Sequence, residues 1–249
     1  MDKIITNGLV IRQTNYAEAD RILSIFTEDM GIVSAIAKGA RRYKSRQGYA
    51  AQFLCYSQFT LRPGKNMYTL QGASLNESFY SLSDNIEKLA LATYMCDITG
   101  VLCAAEMPEP EMLKLVLNTL YILAKKPRNI LLIKAAFELK LLALAGFEAH
   151  AGACVMCGND SELEYFSHDD GGAVCTDCSR RIGKPLPATL SETVRRAIGY
   201  ICANGADKIY AFEVDASVLA ELSQLAERFL LVHCDRDFYS LDYWKTISS

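Results

Sequence analysis

Four cysteines are arranged as two pairs, and this spacing is typical of a metal site. Two residues separate Cys154 from Cys157, two separate Cys175 from Cys178, and seventeen lie between the pairs. A C-x2-C pair on a tight turn, for which Gly158 is suited, aims both sulfurs at one ion, and two pairs complete a tetrahedral S4 site. We predict one structural zinc ion as the cofactor. Coincidence and a dithiol redox pair are the alternatives.

A second group with chemical meaning is the basic segment KGARRYKSR, residues 38–46. It carries five positive charges in a chain of formal net charge −3, and no acidic residue occurs between Met30 and Asn76. Residues 1–80 have a net charge of +4 and residues 81–249 one of −7. Such segregation indicates an anionic partner, and aromatic residues among the cations offer surfaces for stacked bases. The alternative is a solvated surface loop. The predicted nucleic-acid contacts are Lys38, Arg41, Arg42, Tyr43, Lys44, Arg46, Tyr56, Arg62 and Lys65.

Motifs for catalysis are absent from the sequence. It contains no GxGxxG, Walker loop, G-x-S-x-G or H-E-x-x-H. Asp169-Asp170 and Asp235-x-Asp237 could form a metal-dependent nuclease cluster, but acidic pairs of this kind usually lie solvated in turns. His168 could serve as a metal ligand, but four thiolates already fill a tetrahedral coordination shell, so His168 is not needed. We therefore expect a binding protein with no catalytic residues rather than an enzyme.

The first eighty residues are predicted to form a small β-barrel. Short runs rich in branched and aromatic residues predict five strands, at 4–12, 20–27, 31–38, 53–62 and 67–74. In the fourth, Phe53, Cys55, Phe59 and Leu61 alternate with polar residues and should face inward. Five strands of this size favour an oligonucleotide-binding (OB) barrel, although strand number alone does not exclude an SH3-like barrel.

The remainder is predicted to be helical around an inserted ribbon. Apolar residues recur at helical spacing, for example at Leu113, Val116 and Leu120. Ser81 and Thr189 each precede an acidic residue by three positions, which is a signal for a helix start, and the second signal leads into a helix predicted over residues 191–203. The predicted fold is therefore α+β and multidomain. Its domains are an OB-type barrel at 1–80, a helical domain at 81–150 and 183–249, and a zinc ribbon at 151–182.

Bulk features place the chain among intracellular globular proteins. The N-terminus lacks the pattern of a signal peptide, and no apolar run reaches about 18 residues. The remaining five cysteines (Cys55, Cys96, Cys103, Cys202 and Cys234) stand singly among apolar residues. Single buried thiols are typical of a reducing compartment. We expect a soluble, cytoplasmic protein.

Several motifs in the first forty-five residues resemble the bacterial recombination mediator RecO family. They are Tyr16-x-Glu18-x-Asp20-Arg21, Thr27-x-x-x-Gly31 and the run AKGARR at 37–42. The likeness extends over essentially the whole chain, and the cysteine ribbon is similar to that of the zinc-binding members.

The resemblance implies an N-terminal OB barrel, a helical bundle and a zinc module. It implies binding of single- and double-stranded DNA, annealing of complementary strands, and loading of RecA on strands coated by single-strand-binding protein. RecR and the tail of the single-strand-binding protein would be the protein partners, and the protein would be associated with the nucleoid. Three other functions remain open: an RNA-binding or ribosome-associated module, a transcription regulator, which lacks an evident helix-turn-helix, and a nuclease.

Overall fold

The computed structural model describes residues 3–42, 48–103, 106–182 and 188–248. Within these ranges the chain forms a closed five-stranded barrel, seven α-helices and a small three-stranded sheet. The predicted combination of a β-barrel with a helical, cysteine-bearing remainder is confirmed. The same ranges contain no helix that is both long and apolar enough to cross a membrane.

The barrel strands are β1 (Ile4–Tyr16), β2 (Asp20–Thr27), β3 (Gly31–Ala37), β4 (Cys55–Arg62) and β5 (Tyr68–Ser78). Their order is β1-β2-β3-β5-β4, closed by antiparallel pairing of β1 with β4. All pairs are antiparallel except β3 with β5, which run parallel. A five-stranded barrel with this order is an OB fold. The strand pairing therefore distinguishes the OB barrel from an SH3-like barrel, which the number of strands alone did not.

Alternation along the strands fills the barrel interior. In β4 the side chains of Cys55, Phe59 and Leu61 are buried, as predicted, while Phe53 lies in the turn before the strand. Ser57 is buried on the same face and donates its hydroxyl proton to the Ala50 carbonyl at 2.7 Å. The chain before β4 is thereby fastened to the strand. The interior is completed by Val10, Leu23, Ile25, Val33, Ala35 and Leu70.

The turn between β2 and β3 depends on a glycine. Gly31 has a φ of +65°, and a Cβ built there would lie 2.2 Å from the Met107 carbonyl oxygen. A side chain at this position would meet both a disfavoured backbone conformation and a backbone clash. The close approach of the Met107 backbone therefore explains why the sequence motif has a glycine at position 31.

In the ranges that the structure describes, seven α-helices follow the barrel. They are α1 (Ile86–Leu102), α2 (Pro110–Lys125), α3 (Ile130–Leu144), α4 (Thr176–Ile182), α5 (Glu192–Ala203), α6 (Ala216–Cys234) and α7 (Tyr239–Ser248). The small sheet consists of β6 (Leu163–Ser167), β7 (Gly172–Cys175) and β8 (Ala188–Thr189), in the order β7-β6-β8.

Two predicted capping residues were wrong, although the helix predicted over residues 191–203 agrees with α5. Ser81 lies in a 3-10 turn (Tyr80–Asp84), and α1 begins after Asn85, whose side chain accepts the Lys88 N–H at 3.0 Å. Thr189 belongs to β8, and Ser191 caps α5 through the Val194 N–H at 3.4 Å. In both cases a short polar residue nearer the helix satisfies the free N–H groups, while the predicted residue is used in another element.

The chain divides into two compact units, Met1–Lys125 with Phe238–Ser249, and Lys126–Asp237. The first contains the barrel, α1, α2 and α7, and the second contains α3 to α6 and the small sheet. The helices thus belong to both units. Whether 81–150 and 183–249 also fold as one domain around the ribbon stays a prediction.

A buried ion cluster lies inside the second unit. The Lys134 ammonium on α3 contacts the Glu138 carboxylate one turn later at 2.8 Å and the Glu227 carboxylate of α6 at 2.9 Å. Lys134 and Glu138 are fully buried. Because isolated charges are costly to bury, the Lys134 ammonium and the Glu138 carboxylate stabilise each other in the core.

Candidate nucleic-acid interface and metal centre

Strand register brings distant basic residues to one edge of the barrel. Thr69 on β5 pairs with Ile36 of β3 on one side and with Arg62 of β4 on the other. The backbones of Ile36 and Arg62 are therefore two strand spacings apart, about 10 Å. Lys38 follows β3 and Lys65 lies in the loop after β4. We call the exposed cations here the basic edge: Lys38, Arg41, Arg42, Arg62 and Lys65.

The basic edge has little compensating negative charge. No described carboxylate forms an ion pair with any of its five cations, although ion pairs occur elsewhere in the chain. The nearby Asp20 carboxylate instead accepts the Gly39 N–H at 2.7 Å. Uncompensated cations raise the local potential and attract a polyanion such as a phosphate backbone.

Arg41 also has a structural role. Its backbone N–H donates to the Ala19 carbonyl at 2.9 Å, and its Nη1 donates to the Glu18 carbonyl at 3.1 Å. These bonds fasten the start of the basic segment to the β1–β2 turn. The guanidinium has five N–H groups, so it keeps donors for an outside ligand. Tyr43, Lys44 and Arg46 lie outside the described residues.

Next to the basic edge is a cavity of about 380 Å³, the arginine pocket. Its walls include Arg41 and Arg42 together with three residues that the sequence did not single out as contacts, Arg21, Tyr49 and Gln52. Arg21 stands in the family motif, but its place beside Arg41 follows from the pairing of Arg21 with Ala37 across β2 and β3.

Tyr56 is not brought to the basic edge. It lies six residues before Arg62 on β4, about 20 Å along the strand. Its hydroxyl donates to the Glu28 carboxylate, which also accepts the Asn7 side-chain N–H at 3.1 Å. Burial, reinforced by Glu28 and Asp29, raises the pKa of Tyr56 above its ordinary value. Its surroundings are acidic.

The four paired cysteines meet at one point in the second unit. The Sγ atoms of Cys154, Cys157, Cys175 and Cys178 all lie within 4.8 Å of one another. Cys157 and Cys175 have an Sγ–Sγ separation of 3.8 Å. A tetrahedral ion with metal–sulfur bonds of about 2.3 Å requires sulfur–sulfur edges of about 3.8 Å. The residues therefore fit a closed, four-coordinate metal site.

The first cysteine pair sits on a tight knuckle. Gly158 adopts a φ of +78° and donates its N–H to the Cys154 carbonyl at 2.8 Å. The antiparallel β6–β7 hairpin carries Cys175 at its end, and the Cys175 N–H donates to the Cys154 sulfur at 3.4 Å. The hairpin thus holds the second pair against the first.

Two of the clustered cysteines have thiol pKa values shifted in opposite directions. Hydrogen bonding with Cys157, followed by burial, raises the pKa of Cys178 to about 12. Burial raises the pKa of Cys154, but N–H groups of Cys175, Met156 and Cys157 outweigh burial and lower it to about 6. A sulfur that is readily a thiolate is a good metal ligand.

The five single cysteines all have raised thiol pKa values. Cys55, Cys96 and Cys103 are buried, Cys202 and Cys234 are half-buried, and burial raises the pKa of every one. For Cys202 and Cys234 the pKa rises to about 11. These thiols stay protonated at neutral pH and pack as small apolar groups.

Three alternative candidates for catalysis or metal binding have structural roles instead: Asp170, Asp235 and His168. The Asp170 carboxylate accepts the Ser167 hydroxyl at 2.5 Å within the β6–β7 turn. Asp235 is the left-handed residue that ends α6. His168 is buried against Phe166 rather than grouped with the sulfurs, and burial, with Arg228 second, lowers its pKa.

Family comparisons agree with this geometry. The family model "Recombination protein O N terminal" matches residues 1–79, and "Recombination protein O C terminal" matches residues 83–242. The chain belongs to the RecO family.

Three relatives are similar over almost the full length of both chains. The DNA repair protein RecO of Acetivibrio thermocellus is 37% identical over 99% of this chain and 98% of the relative. The RecO proteins of Alkaliphilus metalliredigens and Clostridium perfringens are 32% and 31% identical, over 98% and 99% of this chain and 99% of each relative. The resemblance carried by the motifs at 16–42 is confirmed, and the chain is a RecO-family DNA repair protein.

Proposed function

We propose that this RecO-family chain is a recombination mediator without catalysis of its own. It binds single- and double-stranded DNA, anneals complementary strands, and helps RecR to load RecA on strands coated by single-strand-binding protein. The observation that carries the proposal is the basic edge of an OB barrel with five exposed cations. An OB barrel with a positive groove is suited to single-stranded nucleic acid. Its place would be the cytoplasm, at the nucleoid.

The unequal charge of the two parts of the chain supports separate binding roles for them. The acidic remainder of the chain, residues 81–249 with a net charge of −7, repels a phosphate backbone. We propose that the barrel contacts DNA, while the helical part contacts RecR and the tail of the single-strand-binding protein. Strand handover then needs both parts, and the isolated barrel would retain DNA binding. An isolated helical part that bound DNA as well as the full chain would contradict this division.

The DNA test removes four cations of the basic edge together, Lys38, Arg42, Arg62 and Lys65, each replaced by Ala. Arg41 stays because it holds the β1–β2 turn. Each lost phosphate contact reduces the slope of log affinity against log salt for a single strand by about 0.7, so four contacts reduce it by about 2.8. Binding should weaken strongly while the thermal midpoint stays within a few degrees, because exposed charges contribute little to folding.

A matched control removes four exposed cations elsewhere, Lys114, Lys125, Arg180 and Arg196. It loses the same net charge and should keep most of the slope. If both variants lost the same slope, the effect would come from net charge alone, and the basic edge would not be the DNA interface. Competition with structured RNA separates this function from the RNA-binding alternative, and annealing of strands already coated by single-strand-binding protein tests the mediator activity itself.

We propose that the ion held by the four cysteines is zinc. Four thiolates in a closed tetrahedral arrangement suit Zn²⁺ and leave no open position for a substrate, so the ion would be structural. Elemental analysis should find one zinc per chain. A purified chain that holds iron, or that holds no metal and exposes four reactive thiols, would contradict the assignment.

A further inference from the structure

A second cavity adjoins the arginine pocket on the same unit. This aromatic pocket has a volume of about 170 Å³, and its walls include Phe53, Phe79 and Tyr80. Gln52 lines both cavities. Gln13, in the wall of the aromatic pocket, accepts a hydrogen bond from Arg21 Nη1 of the arginine pocket at 3.3 Å. The two cavities are therefore neighbours that share a polar border.

The aromatic pocket has the chemistry of a site for a planar, partly polar group. Tyr80 is 64% exposed on the 3-10 turn and offers an open ring face. The amides of Gln13 and Gln52 each provide donors and acceptors at the border. Drug-sized ligands fill about 300–1,000 Å³, so a cavity of 170 Å³ suits a smaller group, of the size of a single nucleobase.

The arginine pocket has the chemistry of a site for an oxyanion. Arg21 Nε is buried, and within the described part of the chain it has no hydrogen-bond partner. A buried donor without an acceptor is costly, and an oxyanion ligand would satisfy it with a charge-assisted bond. Arg42 and the free N–H groups of Arg41 line the same space.

We propose that the two pockets together form a nucleotide subsite, with the phosphate in the arginine pocket and its base in the aromatic pocket. The subsite rests on the proposed DNA binding by the barrel and adds to it. Its arginine pocket is formed by Arg21 of β2 and by Arg41 and Arg42 after β3, close to the β2–β3 side that OB folds commonly use. Its aromatic pocket lies instead on the segment before β4, on β1 and on the 3-10 turn. A base reaches the aromatic pocket after it leaves its partner, so the subsite takes single strands and rejects duplex.

The test uses the full chain, with binding of labelled DNA measured by fluorescence anisotropy. The probes are a short thymidine strand, an abasic strand of equal length, and a duplex. Tyr80→Ala should weaken binding of the thymidine strand about tenfold, the loss expected for one stacked base, and leave the abasic strand, the duplex and the salt slope unchanged. Tyr80→Phe, which keeps the ring, should bind as the original chain does. Arg21→Gln should weaken both single strands.

The control is Tyr239→Ala, since Tyr239 is 85% exposed on α7 of the same unit and lines neither pocket. It should leave all three affinities unchanged. The subsite is refuted if Tyr80→Ala binds the thymidine strand as the original chain does, or if it loses the same factor on duplex. A chain that binds neither strand nor duplex refutes the proposed function as well, so the two failures are distinct.

Discussion

The buried ion cluster of the second unit gives a quantitative prediction. Lys134→Met keeps the volume of the side chain but removes the ammonium between Glu138 and Glu227. Glu138 is fully buried and would lose its 2.8 Å partner, while Glu227 is 19% exposed and keeps some contact with water. Breaking a buried pair from one side costs about 3–5 kcal/mol because the remaining charge is uncompensated. For a chain of this size the thermal midpoint should fall by about 6–20 °C.

Circular dichroism in the far ultraviolet measures this midpoint. Trp244, the single tryptophan, lies in the first unit, so its fluorescence follows that unit separately. The Lys134 change should move the circular-dichroism transition more than the fluorescence transition.

Two further variants test the reasoning. Lys134→Met with Glu138→Gln removes both fully buried charges and should recover most of the loss, because a neutral replacement of a buried pair is often tolerated. Lys114→Met is the control, since Lys114 and Glu111 form an exposed pair at 3.9 Å and the change should cost less than about 0.5 kcal/mol. If the double variant is as unstable as Lys134→Met, or if Lys134→Met costs no more than the control, the cluster does not stabilise the unit as we infer.

Three other perturbations have definite expected outcomes. Cys178→Ser, or removal of the metal by a chelator, should lower the thermal midpoint of the second unit and release one metal ion per chain, measured by calorimetry and elemental analysis; an unchanged midpoint would contradict a structural ion. Gly31→Ala should cost about 3 kcal/mol of unfolding free energy because strain and a backbone clash add. Gly146→Ala, at φ +92° with nothing within 4 Å of a Cβ, should cost about 1 kcal/mol. Equal costs would mean that the clash is relieved. Arg41→Ala should weaken DNA binding and make the β1–β2 turn easier to cleave in limited proteolysis, whereas Arg42→Ala should affect binding alone.

Local patterns predicted the strands well because inward and outward residues alternate. The predicted bounds of β2 agree with the structure, and the inward face of β4 was identified from Cys55, Phe59 and Leu61. The cysteine site was predictable for a similar reason, since its spacing fixes a local turn geometry. The capping residues were predicted wrongly, at Ser81 and Thr189, because several short polar residues lie close together and local sequence does not decide which one caps.

Features that depend on long-range pairing could not be predicted. Arg62 joins Lys38 through the parallel β3–β5 pair, and Arg21 lies beside Arg41 through the β2–β3 pair. Neither strand pairing can be inferred from the local periodicity of the sequence. Lys134 interrupts an apolar stretch in the sequence and would be expected at the surface, yet two carboxylates from separate positions hold it in the core.

The division of the chain has a consequence for its synthesis on the ribosome. The first unit is discontinuous, because α7 packs on α1 with Phe238 against Tyr94 at a ring separation of 6.0 Å. The ribosome must translate the whole second unit between α2 and α7, which takes roughly 5–25 seconds at bacterial rates. During this interval the α1 surface that α7 later covers is open to chaperones and proteases. A nascent chain that stops inside the second unit therefore lacks α7 and leaves exposed the surface of α1 that α7 covers in the full chain.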